Sequence, residues 1–285
     1  MVETIAGMAA VAERYDAFVL DIWGVLYDGG PANPGVTPCL AELKRRGKKV
    51  LLLSNSPRRL PVLHGRMERI GIPRHLYDEV HSSGEETYLR LRDGAEPLMA
   101  GERYAESGPK RFAGLLDGLP KRRVAIEEAD FLLASGPDKA THTIADYRDF
   151  NARGLARGLP MLCANPDLEV IDSGIRQICA GTIAADYEAQ GGTVRRLGKP
   201  HGEVYATVKA MLGVADPSRV LAVGDTLWTD VRGAAAAGFD SLLVMSGIHG
   251  DRCRFTGESW DDGALAALLA ETGDRPHYAA AWFRW

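Results

Sequence analysis

Asp21, Ser54 and Asp225 each stand at or just past the end of a short apolar run, and Lys199 and Asp230 lie beside two further turns. Together they offer carboxylates, one hydroxyl and one ammonium. Carboxylates suit a hard cation such as Mg2+, which keeps several waters and takes few protein oxygens. An ammonium and a hydroxyl suit the oxygens of a phosphate group. An aspartate beside a metal-held phosphoryl group can attack phosphorus and form an aspartyl phosphate. The metal and the lysine would then neutralise charge on the group in transfer. Singly, each residue has an ordinary reading. An Asp after a strand is commonly a turn former or helix cap, and Ser54-Asn55-Ser56 a connecting loop with a cap. Gly198-Lys199-Pro200 reads as a surface turn and Asp230 as a solvated acid in a first helical turn. The chemistry is suggested by their joint occurrence, in this order and at strand ends.

Hydrophobic periodicity gives the elements that must hold these residues. Residues 17–20, 50–53 and 220–223 are continuous apolar runs and read as buried strands. Thr37 is the expected N-cap of a helix with Pro38 at its first position and Gly47 at its end. Leu60, Leu63, Met67 and Ile70 form the stripe of an amphipathic helix. Ser82 and Ser83 each open a Ser-x-x-Glu capping box for a helix through Leu91. Helices over 203–212 and 234–237 and a strand over 241–245 repeat the alternation late in the chain. The prediction is an α/β fold with a doubly wound, Rossmann-like parallel sheet. Ligands bind such sheets at the carboxyl ends of strands near the switch in strand order, where Asp21, Ser54 and Asp225 can converge. A separate pattern, with strands at 131–133 and 161–163 and a helix over 144–156, fills the middle. It reads as an inserted α/β unit at 96–193, leaving 1–95 and 194–285 as the core.

Of the 285 residues, 46% are hydrophobic and 25% charged, enough for a sizeable core. The net charge of -4 argues against a nucleic-acid binder. No apolar run approaches a bilayer span, so no membrane association is expected. Residues 1–10 contain Glu3 and no Lys or Arg, unlike the basic start of a signal peptide. Four cysteines without C-x-x-C spacing argue against zinc or a disulfide framework and fit a cytoplasmic protein. The aromatic segment with Tyr278, Trp282, Phe283 and Trp285 has two readings: an edge strand of the core, or the subunit contact of a homodimer.

Four segments resemble the motifs of the haloacid dehalogenase superfamily, and the resemblance spans nearly the whole chain. They are Phe18-Val19-Leu20-Asp21-Ile22-Trp23-Gly24-Val25, Leu53-Ser54-Asn55, Gly198-Lys199-Pro200, and Val223-Gly224-Asp225-Thr226-Leu227-Trp228-Thr229-Asp230. The insert lies between the second and third, where that family's type II cap sits. Ala164-Asn165-Pro166-Asp167 and Ala180-Gly181-Thr182 resemble the cap of the subgroup (IIA) that contains 4-nitrophenyl phosphatase, pyridoxal phosphatase and the NagD-type phosphatases. The resemblance implies a Mg2+-dependent hydrolase of a small phosphorylated metabolite. Asp21 would be nucleophile and metal ligand. Ser54 and Lys199 would hold the phosphate, with backbone groups near Gly24 and Asn55. Asp225 would bind the metal directly and Asp230 would support it through water.

One position departs from the family pattern. Its phosphatases carry a second Asp two residues after the nucleophile, where its carboxyl protonates the leaving group and its backbone carbonyl meets the metal. Trp23 stands there. It keeps the carbonyl, but an indole N–H only donates hydrogen bonds. Loss of general acid–base help costs a factor of about 100 to 10,000, and least for good leaving groups. Asp28, His249 or a substrate group are the candidates to supply the proton, and Trp23, Tyr27 and Trp228 the aromatic candidates to line the pocket or pack under the cap. Other classes stay open. A phosphate-ligand binding or regulatory protein would explain Trp23, and a dehalogenase also lacks the second Asp but needs no metal. A dinucleotide enzyme lacks its G-x-G-x-x-G, and a P-loop would need Ser or Thr where Pro200 stands.

Overall fold

The computed structural model describes residues 2–285. Its first strands are β1 (Glu3–Thr4), β2 (Ala17–Asp21), β3 (Lys49–Ser54) and β4 (Glu79–Ser82). The middle of the chain adds β5 (Arg103–Glu106), β6 (Arg122–Arg123), β7 (Phe131–Ala134), β8 (Met161–Cys163), β9 (Glu169–Asp172), β10 (Ile175–Ile178) and β11 (Val194–Arg196). The last are β12 (Val220–Gly224), β13 (Asp240–Val244) and β14 (Tyr278–Ala280). Seven of them build one sheet in the order β1-β14-β13-β12-β2-β3-β4, every neighbouring pair parallel. A second parallel sheet runs β11-β8-β7-β5-β6, and β9 with β10 is a separate antiparallel hairpin.

The apolar runs are continuous because both sheet faces are covered. Phe18, Leu20, Leu52 and Val223 pack on one side, while Val19, Leu51, Leu53 and Ala222 pack on the other. The chain leads from β2 to β3 and β4 in one direction and from β12 to β13 and β14 in the other, so the order reverses between β2 and β12. Register pairs Leu20 with Val223 and Asp21 with Leu53. The carboxyl ends of β2, β3 and β12 therefore meet at one edge, at the switch point.

Several local expectations shift. The first helix, Val36–Arg45, begins before Thr37, and Gly35 at φ 89° is its N-cap. Thr37 instead turns its hydroxyl to the Gly71 carbonyl at 3.3 Å. Ser82 caps the helix Ser83–Arg92 by accepting from the Glu85 amide at 2.9 Å, but Glu85 spends its carboxylate on Arg59 rather than closing the box. Ser83 lies inside the helix and donates to Ala164 O at 2.6 Å, tying it to the second sheet. The helix expected at 234–237 spans Arg232–Ala237 and follows a π-helical turn, Leu227–Val231. β11 pairs with β8, so the second sheet reaches Arg196, three residues past the expected boundary at 193. β14 is flanked by β1, which takes the edge expected of the C-terminal segment. Among the described residues no helix is long and apolar enough to cross a membrane.

Candidate active site

Asp21 is the last residue of β2, and Lys199 reaches it from the turn after β11. The Lys199 Nζ donates to Asp21 Oδ1 at 2.7 Å and to Asp230 Oδ1 at 2.5 Å. All three side chains are buried. Asp230 is held from its own turn, because its Oδ2 accepts the Thr226 amide at 3.1 Å. Asp225 follows β12. Its Oδ2 accepts the Ile248 amide at 2.8 Å and its Oδ1 the Thr226 hydroxyl at 3.1 Å. Two glycines make room for it. Gly24 has φ 81°, and a Cβ there would lie 2.2 Å from Asp225 Oδ2. A Cβ on Gly247 would lie 2.1 Å from the same oxygen. Any side chain at either position must push the carboxylate aside.

One oxygen from each of Asp21, Asp225 and Asp230 falls within 4.8 Å of the others. Three buried carboxylates share one ammonium, so the cluster is short of positive charge. Burial pushes Asp21 well above the usual carboxylate range, the nearby Asp230 and Asp225 push it further, and Lys199 only partly offsets them. Burial and Asp230 raise Asp225 to about 7. Burial opposes the charge on Lys199, but Asp21 and Asp230 outweigh it and hold the ammonium well above an ordinary lysine. The hard oxygen donors and the missing positive charge fit a divalent cation such as Mg2+.

Ser54 ends β3 beside Asp21, its Oγ accepting the Ser56 amide at 3.1 Å. Asn55 is a brace. Its Oδ1 accepts the Lys199 amide at 2.7 Å, and its Nδ2 donates to Lys199 O at 3.0 Å and to Asp167 Oδ1 at 2.8 Å. It thus fixes the lysine turn to β3 and to the loop after β8. Trp23 meets the expectation of packing beneath the inserted unit: its Nε1 donates to Ile171 O of the hairpin at 2.6 Å. The indole N–H is therefore already committed. Two adjoining cavities share Trp23, Asp167 and Val170. One holds Asp21, Gly24, Asp28 and Asp225, the other Ser54, Arg58, Arg66, Arg111 and Phe112.

Of the proton donors considered, Asp28 lines the Asp21 cavity, and His249 does not. His249 is fully buried, and its Nε2 accepts the Leu227 amide at 3.2 Å. Burial pushes it down to about 4, leaving a neutral ring with its acceptor spent. Trp228 packs edge-on against that ring at 4.8 Å, and Tyr27 takes a hydrogen bond from Arg66 at 2.5 Å. Neither lines the two cavities. Sequence reasoning passed over Asp167 as a site residue, although it ends the Asn-Pro-Asp turn after a buried strand. Burial raises it to about 6.

Comparison with known proteins gives the family. A family model described as haloacid dehalogenase-like hydrolase matches residues 15–238. The chain is 27% identical to mouse chronophin over 260 residues, covering 85% of each. It is 26% identical to a D-glycerol 3-phosphate phosphatase of Mycobacterium tuberculosis, covering 95% of this chain and 70% of the relative. A solved haloacid dehalogenase-like hydrolase from Brucella suis superposes with a TM-score of 0.83 at 30% identity, over 98% of this chain and 99% of that one.

Proposed function

Because this chain belongs to the haloacid dehalogenase-like hydrolases, we propose that it is a phosphatase cleaving a small phosphate monoester through an aspartyl phosphate on Asp21. The observation that carries this reading is the buried meeting of Asp21, Lys199, Asp225 and Asp230 at the sheet's switch point, beside a cavity. Asp21 attacks phosphorus as the bond to the leaving oxygen breaks. Water then attacks the acyl phosphate, releasing phosphate and restoring the carboxylate. The Lys199 ammonium and Ser54 hydroxyl hold phosphoryl oxygens. Asp21, Asp225, Asp230 and the Trp23 carbonyl would hold Mg2+, which supplies charge neutralisation at the phosphoryl group.

Trp23 gives no proton, and its N–H stays on Ile171. Asp28, Asp167 and Glu169 are the further carboxyl groups lining the Asp21 cavity, and Glu169 is paired with Arg176. Asp167, raised to about 6, is poised near neutrality to give and take a proton. The test is hydrolysis of para-nitrophenyl phosphate with and without Mg2+. Mg2+-dependent turnover is expected, abolished in Asp21→Asn. Trp23→Asp is expected to speed alkyl esters, toward the roughly 100- to 10,000-fold that positioned proton transfer contributes, and para-nitrophenyl phosphate much less. The commitment of Trp23 to the hairpin favours one second reading, a phosphate-ligand binding protein. Phosphate-ester binding without any turnover would select it.

A further inference from the structure

The second cavity carries three guanidiniums, those of Arg58, Arg66 and Arg111. Elsewhere in the molecule arginines find carboxylates: Arg59 pairs with Glu85, Arg103 with Asp130 and Arg195 with Glu96. Among the described residues no carboxylate lies within ion-pair distance of any of these three. Arg66 donates to the Tyr27 hydroxyl and lies 5.7 Å over the Trp23 ring. Arg111 donates to the Gln177 side-chain oxygen Oε1 at 3.2 Å. Arg58 has no side-chain hydrogen bond among the described residues. It lies 5.0 Å over the Phe112 ring, with Arg111 over the same ring at 5.5 Å. Asp167 and Asp172 also line the cavity, each bonded to a neutral partner, Asn55 and the Ser173 hydroxyl, and neither lies within ion-pair distance of the three guanidiniums.

Like charges gathered in a half-buried cavity repel one another and cost desolvation unless an anion joins them. Burial, then Arg66 and Arg111, push the Arg58 guanidinium below the ordinary arginine range, as expected of a cation lacking its counter-ion. The cavity adjoins the Asp21 site through Trp23, Asp167 and Val170, on the side where the organic part of a substrate must lie if phosphate sits on Ser54. We infer that the substrate carries a second oxyanion, a carboxylate or a second phosphate, seated on Arg58, Arg66 and Arg111. Planar guanidiniums suit both groups. The inference rests on the phosphatase reading and adds the substrate class to it.

The experiment compares matched esters with Mg2+: 2-phosphoglycolate against ethyl phosphate, 3-phosphopropionate against propyl phosphate, and propane-1,3-diol bisphosphate against propyl phosphate. A charge-assisted contact is worth about tenfold or more in affinity. The wild type should favour at least one anionic ester by about tenfold or more in kcat/KM, and the preferred partner says whether carboxylate or phosphate is meant. Arg58→Met and Arg111→Met should each cut that preference severalfold. Equal use of charged and neutral esters by the wild type overturns the inference, as does an equal loss on both in the two variants. Absence of all turnover would count against the phosphatase reading instead. The same pairs are then titrated calorimetrically into the wild type, where a tighter anionic partner supports the inference and equal affinities overturn it.

Discussion

Lys199 lies between two buried carboxylates, 2.7 Å from Asp21 and 2.5 Å from Asp230. Breaking a buried pair by removing one partner is costly, because the charge left behind has neither water nor counter-ion. Lys199→Met should therefore lower stability in chelator by about 3–5 kcal/mol. Added Mg2+ should raise the melting temperature of the variant more than that of the wild type, since it supplies the missing positive charge. Thermal melts with and without Mg2+ measure both. A variant as stable as the wild type in chelator would mean that the carboxylates are already protonated when no metal is present. Trp23 is the other decisive residue. What its side chain can do was legible from the residue type alone, since no placement lets an indole exchange protons. Its partner was not, because Ile171 is 148 residues away.

At the scale of elements, the β9–β10 hairpin is the piece that joins the inserted unit to the site. A two-stranded hairpin is marginal alone, and of its eight residues only Gln177 is buried. Its position depends on docking. The Trp23 indole holds Ile171 O at 2.6 Å, and Asp28 O accepts the Ser173 amide at 2.7 Å. Trp23→Phe keeps a ring against Tyr27 and removes the donor. A lost hydrogen bond of about 1–1.5 kcal/mol corresponds to roughly tenfold faster local opening. Hydrogen exchange should accelerate by that order over 169–178 and stay unchanged in β2 and β12. Unchanged protection of the hairpin would show that ring packing alone holds it.

Stability of the whole molecule should vary with pH through His249. Burial lowers this histidine to about 4, against 6.5 in the unfolded chain. Between these values the unfolded chain binds more protons, so stability rises with pH there. The contribution is full above about pH 6.5 and is lost as pH falls toward 4, up to about 3 kcal/mol in all. His249→Gln keeps an acceptor for the Leu227 amide and cannot titrate. Denaturant unfolding at pH 4.5 to 7 should give the variant a shallower loss of stability on acidification than the wild type. Parallel curves would place the acid sensitivity in other groups.

The sequence by itself determined the strand ends and the polar residues that stand at them. Continuous apolar runs require strands covered on both faces, and polar residues placed just past those runs must emerge at the carboxyl edge of a parallel sheet. That reasoning is local, because strand periodicity and turn chemistry act over a few residues, and it reached Asp21, Ser54 and Asp225, while Lys199 and Asp230 were read from the turns beside them. Local signals were weaker at element starts. Gly35 capped the helix credited to Thr37 because its positive φ sets the entry of the chain. Only tertiary structure decided what surrounds Asp21. His249 looked as available as Asp28 until packing turned its ring onto the Leu227 amide. Arg58, Arg66 and Arg111 come from separate segments and read as ordinary surface charges along the chain. They share one cavity because the inserted unit folds back over the end of the first sheet, and no short-range pattern encodes which side chains such a closure leaves without a partner.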